Sequence, residues 1–452
     1  MTPSWAKDAI FYHIYPLGLC AAPQTNDLHR PPVHRLDSLI PWLDHIKDLG
    51  ANALYLGPVF QSSRHGYDTI DYYQVDRRLG DNDTLARFAD AAHQRGIRLV
   101  LDAVFNHVGR QFWAFEDVRN NRESSPYCGW FKGLSFKGHS PAGDPFQYES
   151  WQGHYSLVNL NLAHPHVRAH LFDAVGMWMD RFGIDGLRLD AADCLDLDFL
   201  KALKDFTKVR QSDFWLMGEV VHGDYRMWAN AETLDTVTNY ETYKGLYSSL
   251  IDGNYHEVAY ALNRQFGPDG LYRNLWLYNF VDNHDVDRVA SKLQDPGLLY
   301  PLYLLLFTMP GIPSIYYGSE WGIRGQKEGW SDAPLRPALD LDQLRTSGPQ
   351  SGLLWDIQRL AAMRKSFPSL RLGDYHQVLV NPRQFAFQRK FEGETMLVVV
   401  NSDQQPAVIE LPVEMQHGKL VDVLNNNEHF DVKEDHVQLS LPAKWGRVLK
   451  FL

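Results

Sequence analysis

The sequence predicts an α/β protein: a (β/α)8 TIM barrel with an inserted subdomain after the third strand and a C-terminal antiparallel β-sandwich. Three observations support this fold class. Short apolar runs alternate with longer helical patterns up to about residue 370, as in barrels of parallel strands. Residues 107 to about 155 interrupt this alternation with a stretch rich in Gly, Ser, Phe and Trp. After about residue 372 the pattern changes to short alternating strands.

Eight short apolar runs are the candidate barrel strands. They cover residues 10–15, Ala53–Leu56, 98–102, Gly186–Leu189, 214–217, 236–239, 275–281 and Ile312–Tyr316. Helical patterns separate them, and the clearest predicted helices cover residues 36–49, 84–95, Pro165–Phe182 and 301–309. Asp83 and Gly96 flank the second of these as helix start and stop signals. Eight strand–helix units are what a closed parallel barrel requires.

The two interruptions divide the chain into four segments. We assign residues 1–106 and 156–371 to the barrel, residues 107–155 to the inserted subdomain and residues 372–452 to the C-terminal domain. The insertion is too long and too weakly periodic for an ordinary loop. In the last segment the candidate strands are residues 377–380, 384–389, 395–400, 407–411, 420–423 and 437–439.

Aromatic residues in the insertion allow two interpretations. They can pack the subdomain, or they can bind sugar rings, because aromatic faces cover apolar sugar faces. Composition alone does not separate these interpretations for Trp113, Trp130, Phe131 and Trp151. If the insertion borders a binding cleft, it would form a wall of that cleft.

Composition excludes several classes of function. The 452 residues carry a formal net charge of −11 and contain no basic run, which argues against a nucleic-acid partner. No N-terminal signal core and no bilayer-length apolar run are present, so we expect no membrane association and a cytoplasmic location. Cys20, Cys128 and Cys194 are far apart and odd in number, which favours structural thiols over a metal site.

Three carboxylates stand at the ends of three predicted barrel strands. Asp190 ends the run that begins at Gly186, Glu219 follows the fifth strand, and Asp285 follows the seventh. Because the carboxyl ends of parallel barrel strands converge on one mouth, these side chains can meet at one substrate. Two carboxyl groups with different protonation are what hydrolysis of a glycosidic bond needs. Each carboxylate alone would more often form a salt bridge, but their joint placement favours catalysis.

Taken together, the motifs resemble the α-amylase family, glycoside hydrolase family 13. The similarity extends along nearly the whole chain, with each motif in order at a predicted strand end. The motifs are Gly57-Pro58-Val59-Phe60, His65-Gly66-Tyr67-Asp68, Asp102-Ala103-Val104-Phe105-Asn106-His107, Gly186-Leu187-Arg188-Leu189-Asp190, Gly218-Glu219, Asn283-His284-Asp285 and Gly311-Ile312-Pro313-Ser314-Ile315-Tyr316-Tyr317-Gly318.

The resemblance implies retaining cleavage of α-glucosidic bonds. It implies that Asp190 is the nucleophile, Glu219 the general acid/base and Asp285 the carboxylate that holds the distorted sugar. Arg188, two positions before Asp190 on the same strand face, should lower the pKa of Asp190. A less polar setting should raise the pKa of Glu219. The substrate-binding residues that the resemblance implies are Tyr67, as an aromatic platform, His107, Arg188, His284, Asp68 and Asn283.

Three positions depart from patterns common in the family. Asp193-Cys194 stands where many α-amylases have Lys-His, which argues against a starch-liquefying endo-amylase. Asn159 stands in place of the aspartate of a Leu-Pro-Asp type motif, although Asn106 matches one calcium ligand. We therefore expect no metal site and no required cofactor, with calcium left open. Arg64 replaces an aspartate of exo-acting α-glucosidases, which argues against strict release of glucose.

The motifs are most similar to those of the cyclomaltodextrinase, neopullulanase and maltogenic amylase group. Members usually have an N-terminal β-sandwich that makes a dimer. This chain starts almost directly at the first barrel strand, so we expect that domain to be missing, and the oligomeric state stays open. We predict a hydrolase of short or cyclic α-glucans, with an α-glucan oligosaccharide as its partner. The alternatives are an α-glucan transglycosylase, a general α-amylase and a catalytically inactive carbohydrate-binding relative.

Overall fold

The computed structural model describes residues 2–329 and 331–452, and a parallel eight-stranded sheet forms its centre. The strands are β1 (Phe11–Ile14), β2 (Ala53–Leu56), β3 (Arg98–Ala103), β4 (Gly186–Leu189), β5 (Trp215–Gly218), β6 (Thr236–Val237), β7 (Tyr278–Asn279) and β8 (Ile312–Tyr316). Their order in the sheet is β6-β5-β4-β3-β2-β1-β8-β7. A parallel bridge between Thr238 and Tyr278 joins the two end strands and closes the barrel. The predicted barrel is confirmed.

Strands β6 and β7 are shorter than the sequence predicts. Side chains add hydrogen bonds at this seam of the barrel. Thr236 donates its hydroxyl to the carbonyl oxygen of Trp276 at 2.5 Å. Asn239 donates its side-chain amide to Asn279 at 2.9 Å. Both side chains are buried, so they satisfy backbone and amide groups that would otherwise lack partners.

The helices differ from the sequence prediction mainly at their ends. Residues 35–39 form a 3-10 turn before the helix Ile40–Leu49. The helix Asn82–Gln94 is capped by Asp81 rather than Asp83, because the Asp81 carboxylate accepts a hydrogen bond from the backbone N–H of Thr84 at 2.8 Å. The helices are Ser4–Lys7, Pro16–Leu19, Ile40–Leu49, Asn82–Gln94, Trp113–Asn121, Pro165–Phe182, Leu197–Arg210, Tyr240–Ile251, His256–Phe266, Val289–Lys292, Leu299–Thr308, Leu341–Ser347, Ser351–Ser366 and Pro368–Leu372.

The inserted subdomain is a small antiparallel sheet with one helix. Its strands are His107–Gly109, His154–Asn159 and Ser150–Trp151, in that order across the sheet. The last strand of the insertion extends to Asn159, beyond the predicted end at residue 155. A separate short hairpin pairs Phe60–Ser62 with Thr69–Val75 and carries the loop that contains Tyr67. Both elements stand at the carboxyl ends of the barrel strands.

The C-terminal segment forms one eight-stranded antiparallel sheet. Its strands are β9 (Asp374–Val380), β10 (Gln384–Phe391), β11 (Glu394–Asn401), β12 (Ala407–Pro412), β13 (His417–Asp422), β14 (Glu428–Lys433), β15 (His436–Leu441) and β16 (Trp445–Phe451). Seven of these strands contribute buried side chains to a single apolar cluster, so the sheet folds over its own core. The sequence prediction missed β14 and β16. Among the described residues, no helix combines the length and apolarity needed to cross a membrane.

Candidate active site

The carboxyl ends of the barrel strands open into a cavity of about 1560 Å³. This exceeds the roughly 300–1,000 Å³ of most small-molecule pockets, so the cavity has room for a ligand of several rings. Asp190, Glu219 and Asp285 all line it. Tyr67 and His107, two of the predicted binding residues, line it as well. The sequence therefore predicted correctly that these side chains meet at one mouth.

Strand register places Asp190 beside Glu219. Leu189 on β4 pairs with Gly218 on β5, and the backbone N–H of Glu219 donates to the carbonyl of Leu189 at 2.9 Å. Ala191 has a φ of 45°, in the left-handed region, and its N–H donates to Glu219 Oε2 at 3.2 Å. A non-glycine residue in this conformation costs about 1–3 kcal/mol and is common at functional sites. The strained residue thus holds the second carboxylate against the first.

One guanidinium connects the two carboxylates. Arg188 is buried, and its Nη1 donates to Asp190 Oδ1 at 2.8 Å. Its Nη2 lies 2.9 Å from Glu219 Oε1. Asp102, at the end of β3 and outside the predicted catalytic trio, also accepts a hydrogen bond from Nη1 at 3.0 Å. Burying a cation is costly without partners, and here three carboxylates supply them.

Asp285 bonds a different set of partners. His284 Nε2 lies 2.9 Å from Asp285 Oδ2, and Arg336 Nη2 lies 2.9 Å from Asp285 Oδ1. The ring of Tyr67 stacks on His284 with centroids 5.5 Å apart, and its hydroxyl contacts His284 Nε2 in a short hydrogen bond. The Tyr67 hydroxyl also donates to Asp102 at 3.0 Å. A continuous network therefore links all three cavity carboxylates.

Different surroundings shift the pKa values of the three carboxyl groups in different directions. Burial raises the pKa of Glu219, as predicted, although Arg188 acts against it. Burial also acts to raise the pKa of Asp285, but His284 and Arg336 outweigh it and hold that pKa well below its usual range. For Asp190 the predicted net direction is wrong. Arg188 does lower the pKa of Asp190, but burial and the neighbouring carboxylates outweigh the guanidinium and raise it.

His107 lies next to the first carboxylate in a neutral form. Its Nε2 is 4.0 Å from Asp190 Oδ2 and has no hydrogen-bond partner among the described residues. Burial, reinforced by His65, lowers the pKa of His107 to about 3. A neutral imidazole can donate or accept one hydrogen bond at this nitrogen, according to its tautomer. His107 Nε2 can therefore form a hydrogen bond with a ligand in the cavity.

Four predicted binding residues lie behind the cavity wall. Arg188, His284, Asp68 and Asn283 are buried and bond to other protein groups. Asp68 accepts from the backbone N–H of His65 at 3.1 Å. Asn283 donates to the hydroxyl of Tyr240 at 3.2 Å. These contacts orient neighbouring side chains, and direct binding of a ligand by these four residues stays a prediction.

Loops from several parts of the chain form the cavity walls. The insertion contributes Trp151, whose ring lies between His107 and His154. The loop after β1 contributes residues 21–25, and the loop after β8 contributes residues around Asp332. Trp113, Trp130 and Phe131 instead pack within the subdomain, against other aromatic rings. Of the four aromatic residues, Trp151 lines the cavity, and binding of sugar by its ring stays a prediction.

Comparison with known proteins assigns the family. A family model described as the α-amylase catalytic domain matches residues 32–359, and one described as the maltogenic amylase C-terminal domain matches residues 378–446. The chain belongs to the α-amylase family. It is 32% identical over 425 residues to a cyclomaltodextrinase from a Bacillus species, covering 89% of this chain and 74% of that protein.

Solved structures of family members superpose on most of this chain. A cyclomaltodextrinase matches with a TM-score of 0.89 and 30% identity, covering 100% of this chain and 79% of that one. A cyclic α-maltosyl-(1→6)-maltose hydrolase from Arthrobacter globiformis matches with a TM-score of 0.82 and 28% identity. The latter match covers 100% of this chain and 99% of that structure. The resemblance inferred from the motifs is confirmed.

Two positions that match calcium ligands of the α-amylase family carry neutral amides in this chain, and the absence of a metal site stays a prediction. Asn106 directs its amide nitrogen to His107 Nδ1 at 3.3 Å, and Asn159 Oδ1 is buried without a partner among the described residues. No group of three or more His, Cys, Asp or Glu side chains in the described ranges could hold a metal. Calcium prefers several charged oxygen ligands, and these positions offer neutral amides.

Sequence reasoning missed two side chains of the site. Tyr240 donates its hydroxyl to Glu219 at 3.4 Å, and Arg336 bonds Asp285. Cys194, expected to be a structural thiol, is exposed and lines the cavity. Tyr240 opens a helix, and Arg336 lies in a loop without periodicity. Neither position carries a local pattern that indicates contact with a carboxylate far away in sequence.

Proposed function

We propose that this protein is a retaining hydrolase of α-glucosidic bonds in short or cyclic α-glucans. In this proposal Asp190 is the nucleophile, Glu219 the general acid/base and Asp285 the carboxylate that holds the distorted sugar. The observation that carries it is that the guanidinium of Arg188, behind the cavity wall, bonds both Asp190 and Glu219, which line the cavity, at 2.8 and 2.9 Å.

The shared guanidinium favours cleavage that retains the configuration of the anomeric carbon over cleavage that inverts it. Retaining enzymes keep their two carboxyl groups about 5–5.5 Å apart, and inverting enzymes keep them roughly 6.5–9.5 Å apart to admit a water. Asp190 and Glu219 bond to neighbouring nitrogens of one planar group and end adjacent paired strands. This adjacency supports direct attack by Asp190 on the anomeric carbon.

The pKa directions of Glu219 and Asp285 suit a two-step reaction, and Asp190, whose pKa is raised by burial, must lose its proton before it attacks. Glu219, with its raised pKa, donates a proton to the leaving glycosidic oxygen while Asp190 bonds to the anomeric carbon. Glu219 then takes a proton from water, which attacks the glycosyl–Asp190 ester and releases the sugar. Asp285 keeps its charge because His284 and Arg336 lower its pKa, so it can stabilise the positive charge of the transition state.

The cavity walls support a compact substrate. Loops after β1 and β8 and the insertion surround the carboxylates on several sides. A cyclic or short glucan can contact all of these walls, so its binding energy contributes to the transition state. Two structural relatives carry names that refer to cyclic substrates, a cyclomaltodextrinase and a cyclic α-maltosyl-(1→6)-maltose hydrolase. We further propose that the reaction requires no metal cofactor.

The test is product analysis with a matched pair of variants. Cyclodextrins, linear maltodextrins, pullulan and soluble starch are incubated with the parent, and the anomeric form of the first product is followed by NMR. The α-anomer is expected from the parent. Asp190→Asn should be inactive, whereas Asp198→Asn, at an exposed helix position outside the cavity, should retain activity. A β-anomer as first product would reject retention, and predominant transfer to sugar would favour a transglycosylase.

A further inference from the structure

A second buried guanidinium lies between the loop that carries Asp285 and the loop that carries Arg336. Arg288 is fully buried. Its backbone N–H donates to the carbonyl of Gly325 at 2.9 Å, and its Nη2 and Nε donate to the carbonyl of Leu335 at 3.0 and 3.2 Å. Arg288 is therefore bonded to the loop after β8 at two points, while its own chain belongs to the loop after β7.

The Leu335 carbonyl receives unusually many hydrogen bonds. Besides the two from Arg288, it accepts one from the hydroxyl of Tyr316 at 3.0 Å. The guanidinium of Arg288 also lies 4.1 Å from the centroid of the Tyr316 ring and donates to the carbonyl of Tyr317 at 2.6 Å. In the described residues Arg288 has no ion pair with a carboxylate. A buried cation is costly unless its hydrogen bonds are kept, so the bonds of Arg288 hold its own loop and the loop after β8 together.

The residue after this carbonyl is the cationic partner of Asp285. Arg336 donates from Nε to the carbonyl of His284 at 3.0 Å and from Nη2 to Asp285 Oδ1 at 2.9 Å. Arg336 also contacts Asp332 at 3.0 Å, so it has a second carboxylate to turn to if it loses the first. Nη2 of Arg336 bonds both carboxylates at once, and its backbone directly follows the Leu335 carbonyl that Arg288 holds.

We infer that Arg288 is a positioning residue, which fixes the loops after β7 and β8 relative to each other so that Arg336 keeps its bond to Asp285. It does not touch the cavity. As a statement about catalysis, this inference rests on the proposed function of Asp285. As a statement about geometry, it concerns only the bond between Arg336 and Asp285.

The first test is Arg288→Lys. A lysine keeps the charge but cannot bond Tyr317 and Leu335 in the same fork. A displacement of about 1 Å at a catalytic group can cost on the order of 100-fold in rate, so kcat should fall about 10- to 100-fold with a smaller change in KM. Arg364→Lys is the matched control, because Arg364 is equally buried and bonds only the carbonyls of Phe307, Met309, Leu370 and Gly311, away from the cavity. It should lower the melting temperature without lowering kcat.

The pH profile adds a readout that a general loss of stability would not move. The charged and titratable groups that face Asp285 are the cations Arg336 and Arg188, the imidazoles of His284 and His13, and the carboxyl groups of Glu219, Asp190 and Asp332. Losing Arg336 from this set should move the acid limb of kcat/KM to higher pH in Arg288→Lys. The double variant with Arg336→Lys should be no slower than Arg336→Lys alone, since both changes remove one interaction.

A crystal structure of Arg288→Lys separates this inference from the proposed function. We expect Arg336 Nη2 to leave Asp285 Oδ1 and to stay with Asp332. An unchanged bond, or an unchanged kcat and acid limb in the folded variant, would overturn the inference. A parent enzyme without activity on any α-glucan would reject the proposed function, and the structure of the variant would still decide whether Arg288 positions Arg336.

Discussion

Substitution of Arg188 by lysine tests the electrostatic basis of the site. The guanidinium bonds the carboxylates of Asp102, Asp190 and Glu219 at 3.0, 2.8 and 2.9 Å. A lysine ammonium is a point charge and cannot match three acceptors in one plane. If two of the three bonds are lost, at about 1.5–3 kcal/mol for each bond to a charged group, the total loss is about 3–6 kcal/mol.

This energy sets an upper limit on the effect on rate. Each 1.36 kcal/mol corresponds to a factor of ten, so kcat/KM of Arg188→Lys should fall by about 100- to 10,000-fold. The limit is reached only if the lost bonds stabilise the transition state and do not stabilise the ground state. The assay is kcat/KM on a short maltooligosaccharide across pH 4 to 9, with Arg98→Lys as control. Arg98 pairs with Asp185 at 2.6 Å at the start of β3, the end of the barrel opposite the cavity.

The pH dependence of kcat/KM and of the melting temperature shows in which direction the substitution shifts the carboxyl pKa values. Arg188 opposes the rise in pKa that burial causes in Asp190 and Glu219, so its loss should raise both values further. Asp190 must be ionised to attack, so the acid limb of kcat/KM should move to higher pH. A carboxyl group whose folded-state pKa is raised destabilises the fold as pH rises above its unfolded value, so the deficit in melting temperature should grow from pH 4 upwards. A folded variant with rates within about tenfold of the parent and an unmoved acid limb would refute this reasoning.

Four further predictions follow from the site. Asp190→Asn should lose several orders of magnitude in turnover while still binding substrate, and activity within about tenfold of the parent would reject its role as nucleophile. Glu219→Gln should lose the basic limb of the pH–rate profile, because an amide cannot protonate the leaving oxygen, yet it should still form the glycosyl intermediate from a substrate with a very good leaving group; equal failure on that substrate would exclude Glu219 as the acid. Dialysis against a chelator should leave the melting temperature and activity unchanged, since Asn106 and Asn159 offer only neutral oxygens; a loss restored by calcium would contradict this. Measured per cleavable bond, kcat/KM should be higher on cyclic and short linear glucans than on soluble starch, and equal efficiency on starch would show that the cavity walls do not select substrate size.

Much of the fold is visible in the sequence because it depends on local periodicity. The eight barrel strands are runs buried on both faces, so they appear as continuous apolar stretches between helical patterns. Strands β14 and β16 were missed because neither shows a clear local pattern of apolar residues. In β14, which covers Glu428–Lys433, exposed charged residues obscure the alternation, and β16 follows a short turn near the end of the chain. Their identity as strands depends on pairing with neighbours, which a local pattern does not record.

The sequence by itself determined the identity and the meeting place of the three carboxylates, because residues at the ends of parallel strands must share one mouth of the barrel. Only the tertiary structure decided their partners and their charge. Arg336 reaches Asp285 from a loop 51 positions later, a contact that depends on how two loops pack and not on any spacing. The net pKa direction of Asp190 was wrong from sequence because proximity of Arg188 is visible in the chain, whereas burial is not. Burial is a property of all the surrounding atoms, and it exists only once the chain has folded.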